Sequence, residues 1–171
     1  MKLPDADNGE FIPLPDEPCH ERETPAAGRM DQRLELLVMA KPEMFVTDGA
    51  GQKLFDTLHM SQTLKVGNRV ETSGQGGWDD DLNIPASVED EIAQAFRNVE
   101  KVLAPAGASW KDVVHVNSYH VGGFPPEVNA TISRLYRHYM PDRAPIWTQT
   151  GVAALGLPTM RIEIRVTAII D

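Results

Sequence analysis

The chain has 171 residues, of which 42% are hydrophobic and 24% charged, enough for one domain with a substantial core. The net charge of −9 and the lack of clustered lysines and arginines disfavour a nucleic-acid partner, because affinity for phosphates depends on such clusters. No apolar run reaches the ~20 residues of a membrane span, and we see no secretion signal. The single cysteine, Cys19, excludes an intrachain disulfide, so we expect a reducing, cytoplasmic location.

The first 41 residues differ in composition from the rest of the chain. They contain five prolines and many acidic residues, a composition that forms a core poorly. Apolar residues at helical spacing predict a short helix over residues 30–40: Met30, Leu34, Leu37 and Val38. We interpret residues 1–41 as an N-terminal extension and residues 42–171 as the domain. The extension is either a partly ordered tail or an arm that packs on the domain or on a neighbouring subunit.

The domain opens with a hairpin and an amphipathic helix. The segment TLKVGNRVETSG predicts two short strands that turn at Gly67-Asn68, because this pair accepts the positive φ angles of a tight turn. The segment SVEDEIAQAFRNVEKVLAPAG predicts a helix that Ser87 caps and that Pro105 and Gly107 end. Its apolar stripe consists of Val88, Ile92, Phe96, Val99 and Leu103.

Strands and a second helix follow. DVVHVNSYHV predicts a strand, and PPEVNATISRLYRHYM predicts a helix with Val128, Ile132, Leu135, Tyr136 and Tyr139 on one side. The last strand, Arg161 to Ile170, places Ile162, Ile164, Val166, Ala168 and Ile170 on one face. The order strand–strand–helix–strand–helix–strand–strand predicts an α+β domain, a mixed sheet with both helices packed on one face.

The other face of this sheet is half polar. It presents Arg161, Glu163, Arg165, Thr167 and Ile169 in the last strand, and Val113, His115, Asn117, Tyr119 and Val121 in the middle strand. Such a face is too polar for an ordinary core and carries too many large side chains for idle surface. We therefore expect it to be buried against other subunits.

We expect no metal site. His115 and His120 are five residues apart on a strand, so they point to opposite faces and cannot chelate together. Asp79, Asp80 and Asp81 follow the glycine-rich SGQGGW but lack the alternating ligands and the distal glutamate of a calcium loop, which favours a solvated loop. The glycines are not a phosphate cradle either, since no Gly-Lys-Ser/Thr follows them.

A small set of polar and aromatic residues remains as candidate chemistry: Ser73, Asn129, Gln149 and Glu163, with Trp78 and Trp147. No serine or cysteine lies in a recognisable nucleophile motif. Each member of the set fits a structural role as well as a binding role, and Asn129 could simply cap its helix. Spacing alone leaves open whether these side chains converge.

Four segments resemble the RidA/YjgF/UK114 family: SQTLKVGNRVETSGQ, AQAFRNVEKVLAPAG, VNATISRLY and LPTMRIEI. The resemblance covers about residues 44–171 with every element in order. It implies a chorismate-mutase-like domain that forms a homotrimer, whose sheets line a central barrel and whose ligand clefts lie between adjacent subunits. It also implies hydrolysis of imines and enamines such as 2-aminoacrylate to 2-keto acids and ammonia, without a cofactor.

The resemblance also assigns roles to individual residues. Glu163 matches the catalytic glutamate that positions water. Trp147 falls where the family has the arginine that grips the substrate carboxylate. The other positions that correspond to ligand-binding residues are Gln149, where many members have cysteine, Met60, where many have tyrosine, Asn129 and Ser73.

The exchange at Trp147 changes the expected substrate. An indole offers one neutral N–H donor where a guanidinium offers a charged, bidentate clamp. A carboxylate left unpaired costs on the order of 2–4 kcal/mol, roughly 30- to 1000-fold in binding. Trp147 either stacks on a larger, less acidic ligand or fills the cleft, and the arginines that could replace the missing one are Arg143, Arg161 and Arg165.

Three functions stay open on this reading. The first is a cofactor-free hydrolase or deaminase of imines, enamines or related activated small molecules. The second is a non-catalytic trimer that binds a small molecule or has a regulatory role. The third, a ribonuclease, rests on an older label of the family, and the acidic charge argues against it.

Overall fold

The computed structural model describes residues 40–171, so Cys19 and all but the last residue of the helix predicted over 30–40 lie outside the described residues. The strands are β1 (Glu43–Phe45), β2 (Thr63–Val66), β3 (Arg69–Thr72), β4 (Gln75–Gly76), β5 (Val113–His120), β6 (Ile146–Gly151) and β7 (Ile162–Ile169). The helices are α1 (Ala50–Leu58), α2 (Val88–Leu103) and α3 (Pro126–Tyr139). Single turns of 3₁₀ helix at Ala104–Ala106 and Trp110–Asp112 connect α2 to β5.

All strands join one mixed sheet in the order β1-β2-β3-β7-β5-β6, with β4 also paired to β7. The β5–β6 pair is parallel and the other pairs are antiparallel. The parallel pair follows from the chain path, since α3 carries the chain from the end of β5 back to the start of β6. β6 is therefore an edge strand in the described part of the chain.

The predicted hairpin and helix ends are confirmed. Val66 and Arg69 face each other across the turn, and Gly67 takes a φ of 60°. The Ser87 hydroxyl accepts the Asp90 backbone N–H at 3.3 Å and so caps α2. A 3₁₀ turn then ends the helix at Gly107, which has left-handed backbone angles.

Both α2 and α3 pack on one side of the sheet, which we call the covered face and define by Ile162, Ile164, Val166 and Ala168 of β7. These four side chains are buried with the predicted helix stripes in one core. The opposite side, defined by Glu163, Arg165 and Thr167, is called the open face. The predicted α+β architecture with two helices on one face is confirmed.

The predictions for the middle strand and for Arg161 need correction. A register shift between Val113 and His115 turns Val113 onto the covered face, where it is fully buried, although alternation placed it on the open face. Arg161 precedes β7, and its guanidinium contacts Glu91 of α2 rather than the open face. Both errors arise where regular alternation stops.

Three short elements were not predicted: β1, α1 and β4. Helix α1 has nine residues, a glycine at its second position and no side-chain cap. Its Ala50 packs with Trp78 and Met160 in a small second cluster, so Trp78 has a structural role. Packing of this kind stabilises a helix whose local signals are weak.

Candidate functional site

The residues predicted to form the site lie on both faces of the sheet. In the parallel β5–β6 pair, Trp147 is opposite Val116 and Gln149 is opposite Ser118. Val116 and Ser118 are buried on the covered face, so Trp147 and Gln149 lie on that face too. Glu163 alternates with Ile162 and Ile164 and therefore lies on the open face.

Trp147 is held by contacts within its own protomer. Its indole N–H donates to the Ser118 hydroxyl at 2.9 Å. Its ring packs edge-on against Tyr136 of α3, with 5.2 Å between ring centroids and 84° between planes. The single donor of the indole is thus already used, and the ring forms part of the core margin. Trp147 offers no free donor to a ligand carboxylate.

Asn129 and Gln149 are brought together on the same face. The Gln149 side-chain amide donates to the Asn129 side-chain oxygen at 2.8 Å, which links the first turn of α3 to the edge strand. Each amide keeps one group for another partner: Asn129 its NH₂ and Gln149 its carbonyl oxygen. Two side chains that were predicted from separate segments thus form one polar pair beside Trp147.

Ser118 and His120 extend this group and were not assigned a role from the sequence. Ser118 is 1% exposed and His120 is 2% exposed, and the His120 Nε2 lies 2.8 Å from the Ser118 hydroxyl. Burial lowers the pKa of the His120 imidazole to about 4, so the ring is neutral at physiological pH. The signal available in the sequence was a polar pair, S-x-H, at covered-face positions of β5.

The open face brings Glu163 close to the segment that contains Ser73. Glu163 faces Gly76 of β4 on one side and Tyr119 of β5 on the other. Its carboxyl lies against Gly74, where an added Cβ would fall 2.1 Å from a carboxyl oxygen, so the Glu163 side chain could not keep this position beside a larger residue. Ser73 is adjacent and accepts a hydrogen bond from the Gln75 side-chain amide at 3.0 Å.

Burial raises the pKa of the Glu163 carboxyl above its ordinary value. Within residues 40–171, Glu163 has neither an ion pair nor a hydrogen-bond donor. A half-buried carboxyl without a compensating partner is the environment in which glutamate becomes a base at near-neutral pH. This is the main electrostatic feature of the open face.

Met60 lies apart from the other predicted residues. It precedes β2, four strands away from β6 in the sheet order. Its carbonyl accepts a long hydrogen bond, 3.3 Å, from the Gln62 side chain. One protomer therefore holds Trp147, Gln149 and Asn129 on one face, Ser73 and Glu163 on the other, and Met60 at the far side of the sheet.

The three arginines considered as replacements for the missing one are engaged elsewhere. Arg161 pairs with Glu91 at 2.6 Å and donates to the carbonyls of Pro85 and Ala86. Arg165 pairs with Glu71 at 2.6 Å, and Arg143 donates to the Lys111 carbonyl. In the described part of the chain, none of these guanidiniums meets Trp147 or Glu163.

The aspartate trio is engaged in ion pairs and hydrogen bonds with neighbouring side chains. Asp80 pairs with Lys101 of α2 at 2.7 Å, and Asp81 pairs with Lys53 of α1 at 2.6 Å. Asp79 instead accepts hydrogen bonds from Asn83, which lower the pKa of its carboxyl. Across residues 40–171, no three His, Cys, Asp or Glu side chains come close enough to hold a metal ion, and no helix is long and apolar enough to cross a membrane.

Comparison with known proteins identifies the family. Residues 52–170 match the family described as Endoribonuclease L-PSP. A 2-iminobutanoate/2-iminopropanoate deaminase from Dermatophagoides farinae is 33% identical over 115 residues, which cover 65% of this chain and 85% of the relative. The solved structure of protein YJGH matches with a TM-score of 0.64 and 27% identity over 75% of this chain and 98% of that one.

RidA from an Antarctic bacterium, Psychrobacter sp., matches with a TM-score of 0.58 and 28% identity, covering 65% of this chain and 88% of that one. These structural matches confirm the predicted chorismate-mutase-like fold. The chain belongs to the Endoribonuclease L-PSP family, the RidA/YjgF/UK114 proteins that its four sequence segments resemble.

Proposed function

We propose that the protein is a cofactor-free hydrolase of imines or enamines, with Glu163 as the residue that activates water. The observation that carries this proposal is the Glu163 carboxyl: half-buried, with a raised pKa and no partner among the described residues. The deaminase activity in the name of the Dermatophagoides farinae relative supports the reaction class. Without Glu163, the polar residues nearby would only support binding.

The chemistry requires one base and no cofactor. Water adds to the imine carbon while Glu163 accepts one of its protons, and Glu163 passes that proton to the nitrogen to give a neutral carbinolamine. Glu163 then takes the proton of the carbinolamine hydroxyl and passes it to the nitrogen as the carbon–nitrogen bond breaks. A carbonyl product and ammonia leave, and the carboxylate is regenerated. A carboxyl whose pKa is raised by burial suits both steps, because it is a stronger base than an ordinary carboxylate and still returns the proton once it is protonated.

We further propose that the site forms between subunits of a homotrimer. Trp147, Gln149 and Asn129 lie on the covered face and Glu163 on the open face, so a single protomer cannot place all four around one small ligand. The edge strand β6 has one free side in the described chain, and its Ile146 is 68% exposed. An adjacent copy that packs there would bring its open face to the first copy's edge. Light scattering tests this arrangement: a monomeric protein would contradict it.

The substrate we propose lacks a carboxylate next to the imine. The indole N–H of Trp147 is used by Ser118, and Arg143, Arg161 and Arg165 all have other partners. None of these four side chains is thus free to pair with a substrate carboxylate, and leaving that carboxylate unpaired costs on the order of 2–4 kcal/mol. An uncharged imine avoids this cost.

Ammonia release above the spontaneous rate tests the proposal with two substrates. One is an uncharged imine that an amine oxidase generates from an aliphatic amine, and the other is 2-iminobutanoate. We expect wild type to prefer the uncharged imine and Glu163→Gln to lower the rate by about 100-fold or more. Trp147→Arg should raise the rate on 2-iminobutanoate by roughly 30-fold or more. If none of the three proteins accelerates either hydrolysis, the catalytic proposal is wrong.

The second candidate is a trimer that binds a small ligand without converting it. The internally engaged Trp147 favours this function, because the position that grips substrate in the family resemblance is occupied by a packed side chain. Thermal-shift screening with metabolites separates the two functions, since a binder is stabilised by ligand that is not consumed. Incubation with RNA at physiological salt tests the ribonuclease activity in the family's description, against which the net charge of −9 argues.

A further inference from the structure

A cavity of about 260 Å³ lies at the far end of β5 and contains none of the six predicted site residues. It is bounded by the first turns of α2 and α3, the loop after β5 and the start of β7. Its apolar wall includes Val88, Ile92, Val128 and Ile162, and its polar residues are His120 and Arg161. A cavity of about 150 Å³ already accepts benzene, whereas drug-sized ligands need roughly 300 Å³ or more. This one fits a molecule of about one ring.

The polar residue of interest is His120, because its neighbours determine which ring nitrogen carries the proton. The Ser118 hydroxyl oxygen accepts the indole N–H of Trp147 at 2.9 Å and lies 2.8 Å from the His120 Nε2. Ser118 is buried, and His120 is the only acceptor for its hydroxyl proton among residues 40–171. The Ser118 O–H therefore donates to Nε2, and the neutral imidazole carries its proton on Nδ1.

This assignment leaves one donor at the cavity. The His120 Nδ1–H has no acceptor within hydrogen-bonding distance in the described part of the chain, although the residue is only 2% exposed. The Phe124 ring packs edge-on against the imidazole at 5.0 Å between centroids and limits access from that side. A donor at the wall of an open volume gains most from a ligand or water that accepts from it.

The charge inside the cavity is balanced. Arg161 lines the wall, but its guanidinium is bound by Glu91 and by two backbone carbonyls. The His120 ring is neutral at physiological pH. Neither group therefore favours an ion, and an uncharged ligand with an oxygen acceptor complements the cavity best.

We propose that this cavity binds a small uncharged molecule whose carbonyl oxygen accepts the Nδ1–H of His120, and that Trp147 positions this donor through Ser118. The proposal does not depend on the imine chemistry, because none of the cavity residues belongs to the proposed active site. Trp147 thus has a role that its place in the family pattern does not suggest. Its indole N–H orients the Ser118 hydroxyl, and the orientation of this hydroxyl determines which nitrogen of His120 carries the proton.

Two matched probes test the site in the full-length protein by NMR. Cyclohexanone and methylenecyclohexane have the same ring and size, but only the ketone has an acceptor. We expect ¹⁵N shifts of His120 to show protonated Nδ1 and unprotonated Nε2 in the free protein. Cyclohexanone should perturb the His120 ring and the Val88, Ile92 and Val128 methyl groups. It should bind about five-fold more tightly than methylenecyclohexane, which corresponds to one net hydrogen bond.

Three variants separate the cavity from its surroundings. Val88→Phe fills the cavity and should abolish binding of both probes, whereas the same exchange at Val66, which is exposed on β2, should leave both affinities unchanged. Ser118→Ala removes the hydroxyl that connects Trp147 to His120. This variant should show a mixture of His120 tautomers, and its preference for the ketone over the alkene should be smaller. A merely structural role for Ser118 would lower stability without changing the tautomer.

The proposal is overturned by any of three results. The first is a proton on Nε2 of His120 in wild type. The second is equal affinity for the two probes. The third is a wild-type protein in which neither probe perturbs the cavity residues, as expected if another segment of the chain fills the cavity.

Discussion

The two sides of the sheet each hold a glutamate, Glu91 and Glu163, and the two carboxylates differ in the partners that surround them. On the covered side, Glu91 is 0% exposed and accepts the Arg161 side chain at 2.6 Å and the backbone N–H groups of Arg161 and Ile162 at 2.7 and 3.3 Å. On the open side, Glu163 is half-buried and has no donor among residues 40–171. Burial alone therefore does not distinguish a structural carboxylate from a reactive one. What separates the two cases is whether a cation or hydrogen-bond donors contact the carboxylate.

Removing Glu91 is the strongest test of its structural role. Glu91→Ala leaves a partly buried guanidinium and two backbone donors without their acceptor, so we expect a loss of about 3–5 kcal/mol in the free energy of unfolding. Urea denaturation at a fixed protein concentration measures it. The matched control is Glu89→Ala in the same helix, since Glu89 is exposed and its bond to Arg134 should contribute less than about 1 kcal/mol. Equal losses in the two variants would contradict the structural role.

The next largest effect concerns Trp147, the covered-face residue at the position where the family resemblance implies an arginine. Trp147→Phe loses the hydrogen bond to Ser118 and should cost about 1 kcal/mol. Trp147→Arg also loses the edge contact with Tyr136 and should cost about 2–3 kcal/mol. Denaturant midpoints of the two variants and wild type give the ranking. An arginine variant as stable as wild type would mean that the indole contributes no packing, and that it is free to face a ligand.

The contrast between the faces also explains what the sequence could predict. Val166 and Ile164 alternate strictly with polar residues. This alternation correctly predicted which residues of β7 lie on the covered face. The face of Val113 was predicted wrongly because a register shift interrupts the alternation in β5. The strand IWTQTG has no apolar alternation, so nothing in it showed that Trp147 would share a face with Ser118.

Long-range partners were harder to predict than faces. Arg161 and Glu163 are two residues apart, and regular alternation placed them on the same face of the last strand. Arg161 instead binds Glu91, 70 residues away, because it precedes the regular part of β7. Glu163 was correctly placed on the open face, but its lack of a partner among the described residues depends on Gly74 and on the positions of Arg161 and Arg165. These are tertiary facts that no local pattern contains.

Tyr136 offers a smaller test on the covered face. Its hydroxyl is buried and has no hydrogen-bond partner among the residues described, and burial raises the pKa of the phenol. Tyr136→Phe removes this unpaired group and keeps the ring, so we expect a gain of about 1 kcal/mol in stability. The matched control is Tyr139→Phe on the same helix, whose hydroxyl is not buried without a partner and whose removal should be nearly neutral. A loss in the Tyr136 variant would reveal a partner for the hydroxyl.

Glu163 gives the smallest expected change in stability, and the sign of that change identifies its environment. Burial raises the pKa of Glu163 in the folded state above its unfolded value. Below the unfolded value both states hold the proton, and the carboxyl costs nothing. As the pH rises from the unfolded pKa to the folded pKa, the unfolded state loses its proton while the folded state keeps it, so folding becomes less favourable until both states are ionised. Glu163→Gln should therefore match wild type in stability near pH 4 and exceed it at pH 8.

Thermal denaturation at the two pH values measures this difference, with Glu43→Gln as the control at an exposed carboxyl on β1. A structural carboxylate behaves in the opposite way: had Glu163 a cationic partner like that of Glu91, glutamine would be the less stable residue at pH 8. A variant that gains stability at high pH and loses ammonia-releasing activity would place Glu163 among groups whose unfavourable burial serves catalysis. A variant that loses stability at pH 8 would show that a partner binds the carboxylate, and Glu163 would then resemble Glu91.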